Sequence, residues 1–227
     1  MLSIEKNLSP RLKMIASLVP SSQTVCDIGT DHGYIAIYLA KKGLAKKIIA
    51  ADIKKGPLLQ AEKNIALFDV SEKIETRLSD GFSAVLPGEA DTCIIAGMGG
   101  ETIASILTKE KGCENFVLQM QTGHAHLRSY LCENGFVIKK EALCKEGRKM
   151  YTALLAKRGE SPILDTIQKE IGPYLIEYRP PLFKDYVRYR LYEIESILKN
   201  ISLAQDAHER KEQCLYLKKE YEKLLEA

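Results

Sequence analysis

From Thr24 to about residue 160 the chain alternates between two kinds of segment. One kind is short, apolar and rich in β-branched residues: positions 24–29, 47–53, 73–81, 91–97 and 114–120. The other repeats its apolar residues every three or four positions: 34–43, 56–68, 99–112 and 124–135. The first periodicity predicts strands and the second helices. Gly43, Gly112 and Gly135 end three of the helical stretches, where a chain leaving a helix turns left-handed. Strands alternating with helices predict a parallel sheet covered on both faces.

The pattern changes after Gly135. Residues 136–159 hold two β-like runs around Lys145-Glu146-Gly147-Arg148 and no helix, which predicts an antiparallel hairpin turning near Gly147. Residues 161–227 are helical in character, with a break at Tyr178-Arg179-Pro180-Pro181. Val187, Leu191, Ile194, Leu198 and Ile201 form one heptad-like stripe, and Cys214, Leu217, Tyr221 and Leu224 another, on either side of the polar stretch at Gln205-Asp206. Two such helices predict an antiparallel helical hairpin. The expected organisation is therefore a catalytic-type α/β domain over 1–160 and a coiled-coil-like helical domain over 161–227. The second either covers the first or projects as an arm toward a large substrate or a second subunit.

With 227 residues, 45% of them hydrophobic, there is ample material for a core. No apolar run approaches the roughly 18–20 residues that span a bilayer, and the first twenty residues lack a secretory apolar stretch, so a cytoplasmic protein without a membrane partner is expected. The six cysteines make no Cys-x-x-Cys pair and several sit inside apolar runs, so reduced thiols are expected. The net charge of +3 does not by itself demand a nucleic-acid partner. The basic pairs Lys41-Lys42, Lys46-Lys47, Lys54-Lys55, Lys139-Lys140 and Arg148-Lys149 all fall before residue 161, while the remainder is slightly acidic.

Candidate chemistry gathers where the predicted strands end. Thr24–Tyr34 runs from an apolar strand through Asp27, Gly29, Asp31 and His32 into a helix after Gly33. Gly29 has no Cβ, so a ligand can approach its backbone. The dinucleotide fingerprint Gly-x-Gly-x-x-Gly is absent, and acidic residues here repel a pyrophosphate. They suit a ligand bearing cationic sulfonium and amino groups. Asp52 ends the second strand, about 20 residues after the glycine loop, where a carboxylate binds ribose hydroxyls. Asp80-Gly81 ends the third, positioned for an adenine amino group; Asp-Gly is also a common turn pair. Ile94–Thr102 closes the fourth strand with Gly97, Met98, Gly99 and Gly100, small residues around an adaptable apolar wall. His124 and His126, two positions apart at a helix start, point in different directions, so no metal site is expected.

Taken together, Leu-Ser-Pro-Arg-Leu at 8–12, Asp-Ile-Gly-Thr-Asp-His-Gly-Tyr at 27–34, Ala-Ala-Asp-Ile-Lys-Lys-Gly-Pro-Leu at 50–58, Ser-Asp-Gly-Phe at 79–82, Ile-Ile-Ala-Gly-Met-Gly-Gly-Glu-Thr-Ile at 94–103 and Val-Leu-Gln at 117–119 resemble the bacterial TrmK family. Those enzymes are tRNA (adenine(22)-N1)-methyltransferases, and the resemblance extends over essentially the whole chain. It implies a class I methyltransferase-type, doubly wound, Rossmann-like sheet ending in an antiparallel β-hairpin, with a C-terminal α-helical hairpin. It implies S-adenosyl-L-methionine as cofactor, S-adenosyl-L-homocysteine as product, and tRNA as partner, for a monomer or weak homodimer. By motif, Asp27, Gly29, Thr30, Asp31, His32 and Tyr34 would frame the methionine end of the cofactor, Asp52 and Ile53 its ribose, and Asp80 and Gly81 its adenine. Gly97, Met98 and Gly99, with Asp31, would sit where the methyl donor meets the target base. Arg11, His32 and Gly100 would face the substrate. Where the family has Pro after Val-Leu-Gln, this chain has Met120-Gln121.

The residues alone leave other readings open: a methyltransferase of another RNA or of a small molecule, or an RNA-binding protein that keeps the fold without turnover. A nicotinamide dehydrogenase is disfavoured by the missing fingerprint and the terminal hairpin.

Overall fold

A computed structural model describes residues 3–201 and 208–226. Five strands run parallel: β1 (Ser22–Ile28), β2 (Ala45–Asp52), β3 (Ile74–Leu78), β4 (Thr92–Met98) and β5 (Asn115–Met120). The expected hairpin is present as β6 (Phe136–Glu146) and β7 (Lys149–Arg158), with Gly147 in its turn at φ +62°. The sheet order is β3-β2-β1-β4-β5-β7-β6, and β7 lies antiparallel to β5. The order reverses between β1 and β4, so their carboxyl ends border the crevice where open α/β sheets bind ligands.

Alternating strand residues build two cores. Val25, Ile48, Ile94 and Val117 face α1 (Pro10–Leu18), α2 (Tyr34–Lys42) and α3 (Lys55–Leu67), packing with Ile15, Leu18, Leu39 and Ile65. Cys26, Ile49, Cys93, Ile95, Phe116 and Leu118 face the other way, onto Ile103 and Leu107 of α4 (Gly100–Leu107) and Leu127 and Leu131 of α5 (His124–Glu133). The period of two in each strand thus sorts side chains between helix layers. Helix α4 stops earlier than its sequence pattern predicts: residues 108–112 lie outside it. Every cysteine is a free thiol, and five of the six are buried.

Beyond β7 the chain forms α6 (Thr166–Ile171), α7 (Pro173–Tyr178), α8 (Phe183–Ile201) and α9 (His208–Glu226). Asp165 caps α6 in a reciprocal capping box with Gln168. The predicted break at 178–181 separates α7 from α8, and α8 and α9 pair antiparallel: Lys184 reaches the Leu225 carbonyl and Lys218 reaches Glu195. Val187, Ile194, Cys214, Leu217 and Tyr221 of the two stripes are buried, and Leu191, Leu198 and Leu224 are partly buried. Gln205-Asp206 and the Ile201 side chain lie outside the described residues.

A fully buried ion pair joins this helical part to the sheet. Arg128 of α5 bonds Glu141 of β6 at 2.9 Å. Its other nitrogens donate to the carbonyls of Lys169, Glu170 and Ile171 at the end of α6. The second Glu141 oxygen accepts from the backbone N–H groups of Tyr174 and Leu175 in α7. The two charges therefore satisfy a helix end and a helix start simultaneously. Gly172 allows it, since a Cβ there would collide with the Glu141 carboxylate.

Among the described residues no helix is long and apolar enough to cross a membrane, and no group of three or more His, Cys, Asp or Glu side chains is placed to hold a metal ion.

Candidate active site

The loop after β1 folds back on β2. Gly29, at φ +78°, and Thr30 both donate their N–H groups to the Ala51 carbonyl. Thr30 is itself buried and its hydroxyl donates to Asp27 Oδ2 at 2.7 Å. Burial pushes the Asp27 carboxyl up to about 6; the Thr30 bond opposes this, and the neighbouring Asp52 carboxylate reinforces it. A buried carboxylate beside a cavity attracts a ligand cation.

The loop then rises over α3. His32 takes a left-handed backbone, φ 60°, and its carbonyl accepts from Asn64 Nδ2 at 2.9 Å. Gly33 packs against Ala61, leaving little room for a Cβ. His32 Nε2 lies 3.2 Å from Asp31 Oδ1, and its ring stacks on Tyr34 with centroids 5.7 Å apart. Asp31 stays solvent-facing, its side chain 81% exposed.

At the end of β2, Asp52 Oδ1 accepts from Lys54 N at 2.8 Å, which holds the carboxylate at the strand tip. Ile53 beside it is 62% exposed, an apolar side chain offered to the crevice. After β3, the Ser79 hydroxyl donates to the Gly81 carbonyl and accepts from Ala84 N, shaping the turn that presents Asp80 and Gly81.

At the end of β4, Gly97 (φ +79°) coincides with a register break against β5 between Ala96 and Met98. Its N–H donates to Gln119 Oε1 at 3.1 Å, and Arg11 Nη1 donates to the same oxygen at 3.0 Å. Gln119 is fully buried, and its amide nitrogen donates to the Met120 carbonyl. Arg11 also donates its backbone N–H to Glu146 in the hairpin, and its guanidinium lies over the Tyr151 ring, 5.8 Å from the centroid. The first helix is thus tied to the ends of β4 and β5 and to the β6–β7 turn.

These groups border two cavities. One, of about 350 Å³, is lined by Asp52, Ile53, Asp80, Gly81, Phe82 and Ile106 among others. The second, of about 500 Å³, is lined by Arg11, Asp27, Asp31, His32, Tyr34 and Gly97 together with Gln121 and Glu146. Gly29, Asp52 and Met98 line both, so the cavities meet there. The structure brings together Arg11, Asp27, Gly29, Asp31, His32, Tyr34, Asp52, Ile53, Asp80, Gly81, Gly97 and Met98 from the sequence. It places Thr30, Gly99 and Gly100 off the cavity walls. Gly99 precedes α4, and Gly100 is buried with its N–H on the Thr122 carbonyl, so close to Gly123 that a Cβ would collide. The sequence assigned no site role to Gln119, Gln121 or Glu146, although Gln119 belongs to the Val-Leu-Gln motif and Gln121 follows it. The available signal was a glutamine ending an otherwise apolar strand.

The site suits S-adenosylmethionine on these observations. Gly29 carries no Cβ and the Met98 methyl packs close over its backbone at the cavity junction; the carboxylates of Asp27 and Asp31 would suit the amino and sulfonium groups, Asp52 the ribose, and Ile53 with Asp80-Gly81 a purine.

A methyltransferase-domain family matches residues 8–154. The tRNA (adenine(22)-N(1))-methyltransferase of Bacillus subtilis is 32% identical over 217 residues, covering 92% of this chain and 91% of that one. The crystal structure of the B. subtilis m1A22 tRNA methyltransferase TrmK superposes with a TM-score of 0.80 at 28% identity, covering 96% of this chain and 98% of that one. The structure of M. capricolum TrmK in complex with S-adenosyl-homocysteine superposes with a TM-score of 0.82 at 26% identity and the same coverage. With strand order, crevice and relatives in agreement, the chain belongs to the TrmK family of methyltransferases.

Proposed function

We propose that the protein transfers a methyl group from S-adenosylmethionine to N1 of adenine 22 in tRNA. The observation that carries this reading is the junction of the two cavities at Gly29, Asp52 and Met98. One cavity has the shape and polarity for the nucleoside part of the cofactor. The other is larger, opens to solvent beside Arg11 and Asp31, and leaves room for a base.

Bound S-adenosylmethionine supplies an electrophilic methyl group and departs as S-adenosylhomocysteine. Adenine N1 is unprotonated at neutral pH and needs no general base, so the protein's work is alignment and charge stabilisation. Asp27 holds the cationic end of the cofactor and Asp52 its ribose. Met98 forms the apolar wall between donor and acceptor, and Gly97 keeps the strand end low enough for the base to approach. Asp31 faces the ring that becomes cationic and either accepts from its N6 amino group or balances its charge. Arg11, held by Gln119, lines the substrate side. A D-arm adenine is stacked in the folded tRNA, so the base must be extruded, which costs a few kcal/mol. A tRNA substrate puts the reaction in the cytoplasm.

The test is methyl transfer from radiolabelled S-adenosylmethionine to unmodified tRNA transcripts, with each D-arm adenine changed in turn. Incorporation lost only when adenine 22 is replaced is the expected result. Incorporation that survives that replacement, or its absence from every tRNA despite cofactor binding, overturns the assignment.

A further inference from the structure

A third cavity, of about 200 Å³, lies between the start of α5, the β6–β7 hairpin and α8. Its lining includes Gln121, Tyr151, Tyr186, Tyr189, Arg190 and Glu193. Gln121 also lines the substrate cavity, so the two adjoin. Arg190 is only 8% exposed. Its Nη2 donates to Glu170 at 2.9 Å; its Nε lies 3.2 Å from Glu193 in an ion pair, and neither Nε nor Nη1 has a hydrogen-bond partner. The buried hydroxyl of Tyr186 has none either. Buried polar groups are nearly always satisfied, so unpartnered donors in residues that line a cavity point to something that occupies it.

The composition of the wall selects the occupant. Lys149 also lines the cavity, but Glu170 and Glu193 offset the Arg190 charge and Glu193 opposes a phosphate beside it. His124, which also lines the cavity, is held neutral by burial and by the Arg190 and Arg128 cations. A nucleobase matches what remains: acceptors for Arg190 and Tyr186, a donor for Glu193, and flat faces for the rings of Tyr151 and Tyr189. Unpaired RNA bases are recognised in this way, by stacking on aromatic side chains and by hydrogen bonds along their edges. We propose that this cavity takes a second base of the substrate RNA, unstacked close to the target adenine. The proposal rests on the tRNA-methylating reading above. It assigns Tyr189 and Glu193 a role in choosing the substrate, apart from the chemistry of methyl transfer.

The experiment uses the full chain and intact tRNA, compared with tRNAs carrying single abasic nucleotides around position 22. Tyr189→Ala, Tyr189→Phe and Glu193→Gln are measured beside the wild type, with cofactor affinity and thermal unfolding as controls. One abasic position is expected to lower the wild-type kcat/KM on the order of tenfold, the range of a lost base–aromatic stack. Tyr189→Ala and Glu193→Gln should lower kcat/KM on intact tRNA, mainly through KM, and then lose little more at that abasic position. Tyr189→Phe should keep most of the wild-type value. Cofactor affinity should not change. Losses that multiply independently at every abasic position overturn the proposal, as do variants indistinguishable from wild type on intact tRNA. A reduced salt dependence of binding in Glu193→Gln or Tyr189→Ala would identify a phosphate contact and also overturn it. A wild type inactive on intact tRNA removes the function first and the proposal with it, an outcome distinct from all of these.

Discussion

Met98 closes over Gly29: a side-chain carbon at Gly29 would collide with the Met98 terminal methyl, and both residues line the junction of the two main cavities. Gly29→Ala should therefore displace Met98 into the cofactor space and also strain a backbone at φ +78°, costing about 1 kcal/mol or more in the apo protein. Calorimetric titration should show S-adenosylmethionine affinity falling at least tenfold. Unchanged affinity would mean that the cofactor does not pass over Gly29.

Asp27 gives a pH signature. Its folded carboxyl sits near 6, against an unfolded value of 3.8. The folded protein therefore binds the extra proton between these values, and stability falls as pH rises through that window, then stays at the lower level. The full effect is roughly 3 kcal/mol. Asp27→Asn should flatten the unfolding free energy between pH 4 and about 6 and make the apo protein more stable at pH 7. Because the charged form is the one that attracts a cation, wild-type cofactor affinity should weaken as pH drops below about 6, and the variant should be weaker at pH 7 without that dependence. Chemical denaturation and cofactor titration across pH read both effects.

Gln119 ties Arg11 and the Gly97 N–H to one oxygen. Gln119→Leu keeps the volume but leaves both donors without that acceptor. kcat on tRNA is expected to fall about tenfold or more, matching about 1.4 kcal/mol of lost alignment, while cofactor affinity changes little. A loss confined to cofactor affinity would relocate Arg11 to the cofactor side.

Arg128→Met leaves Glu141 buried without its cation. Breaking one side of such a pair is expected to cost about 3–5 kcal/mol in urea unfolding. Adding Glu141→Leu should recover part of that loss, because the uncompensated charge is gone. If the two single changes simply add, the pair is not coupled.

The parallel sheet, the hairpin turn at Gly147 and the two stripes of the helical arm were legible because each depends on local periodicity or a glycine that the chain must have there. Asp27, Asp52 and Asp80-Gly81 were legible because strand ends in an open sheet are where ligands meet carboxylates. Arg128 and Glu141 were not: their segments read as an ordinary helix and a hairpin strand, and only the tertiary meeting of α5, β6 and α6–α7 brings the two charges together and buries them. Gln119 looked like one residue of a motif. Its role follows from the register break at Gly97, which no periodicity encodes. Gly100 looked like access for a ligand, whereas its missing Cβ admits the backbone of Gly123.

The three cavities are also ordered along the chain. The last residue lining the first is Lys109, the last lining the second is Glu146, and the last lining the third is Glu193. A growing polypeptide emerges from the ribosome amino end first, so the walls become available in that sequence. The nucleoside slot is complete in primary structure well before the hairpin closes the substrate side, and the junction with the helical arm comes last. The residues of the nucleoside slot are thus all synthesised before the surfaces proposed to admit a large substrate.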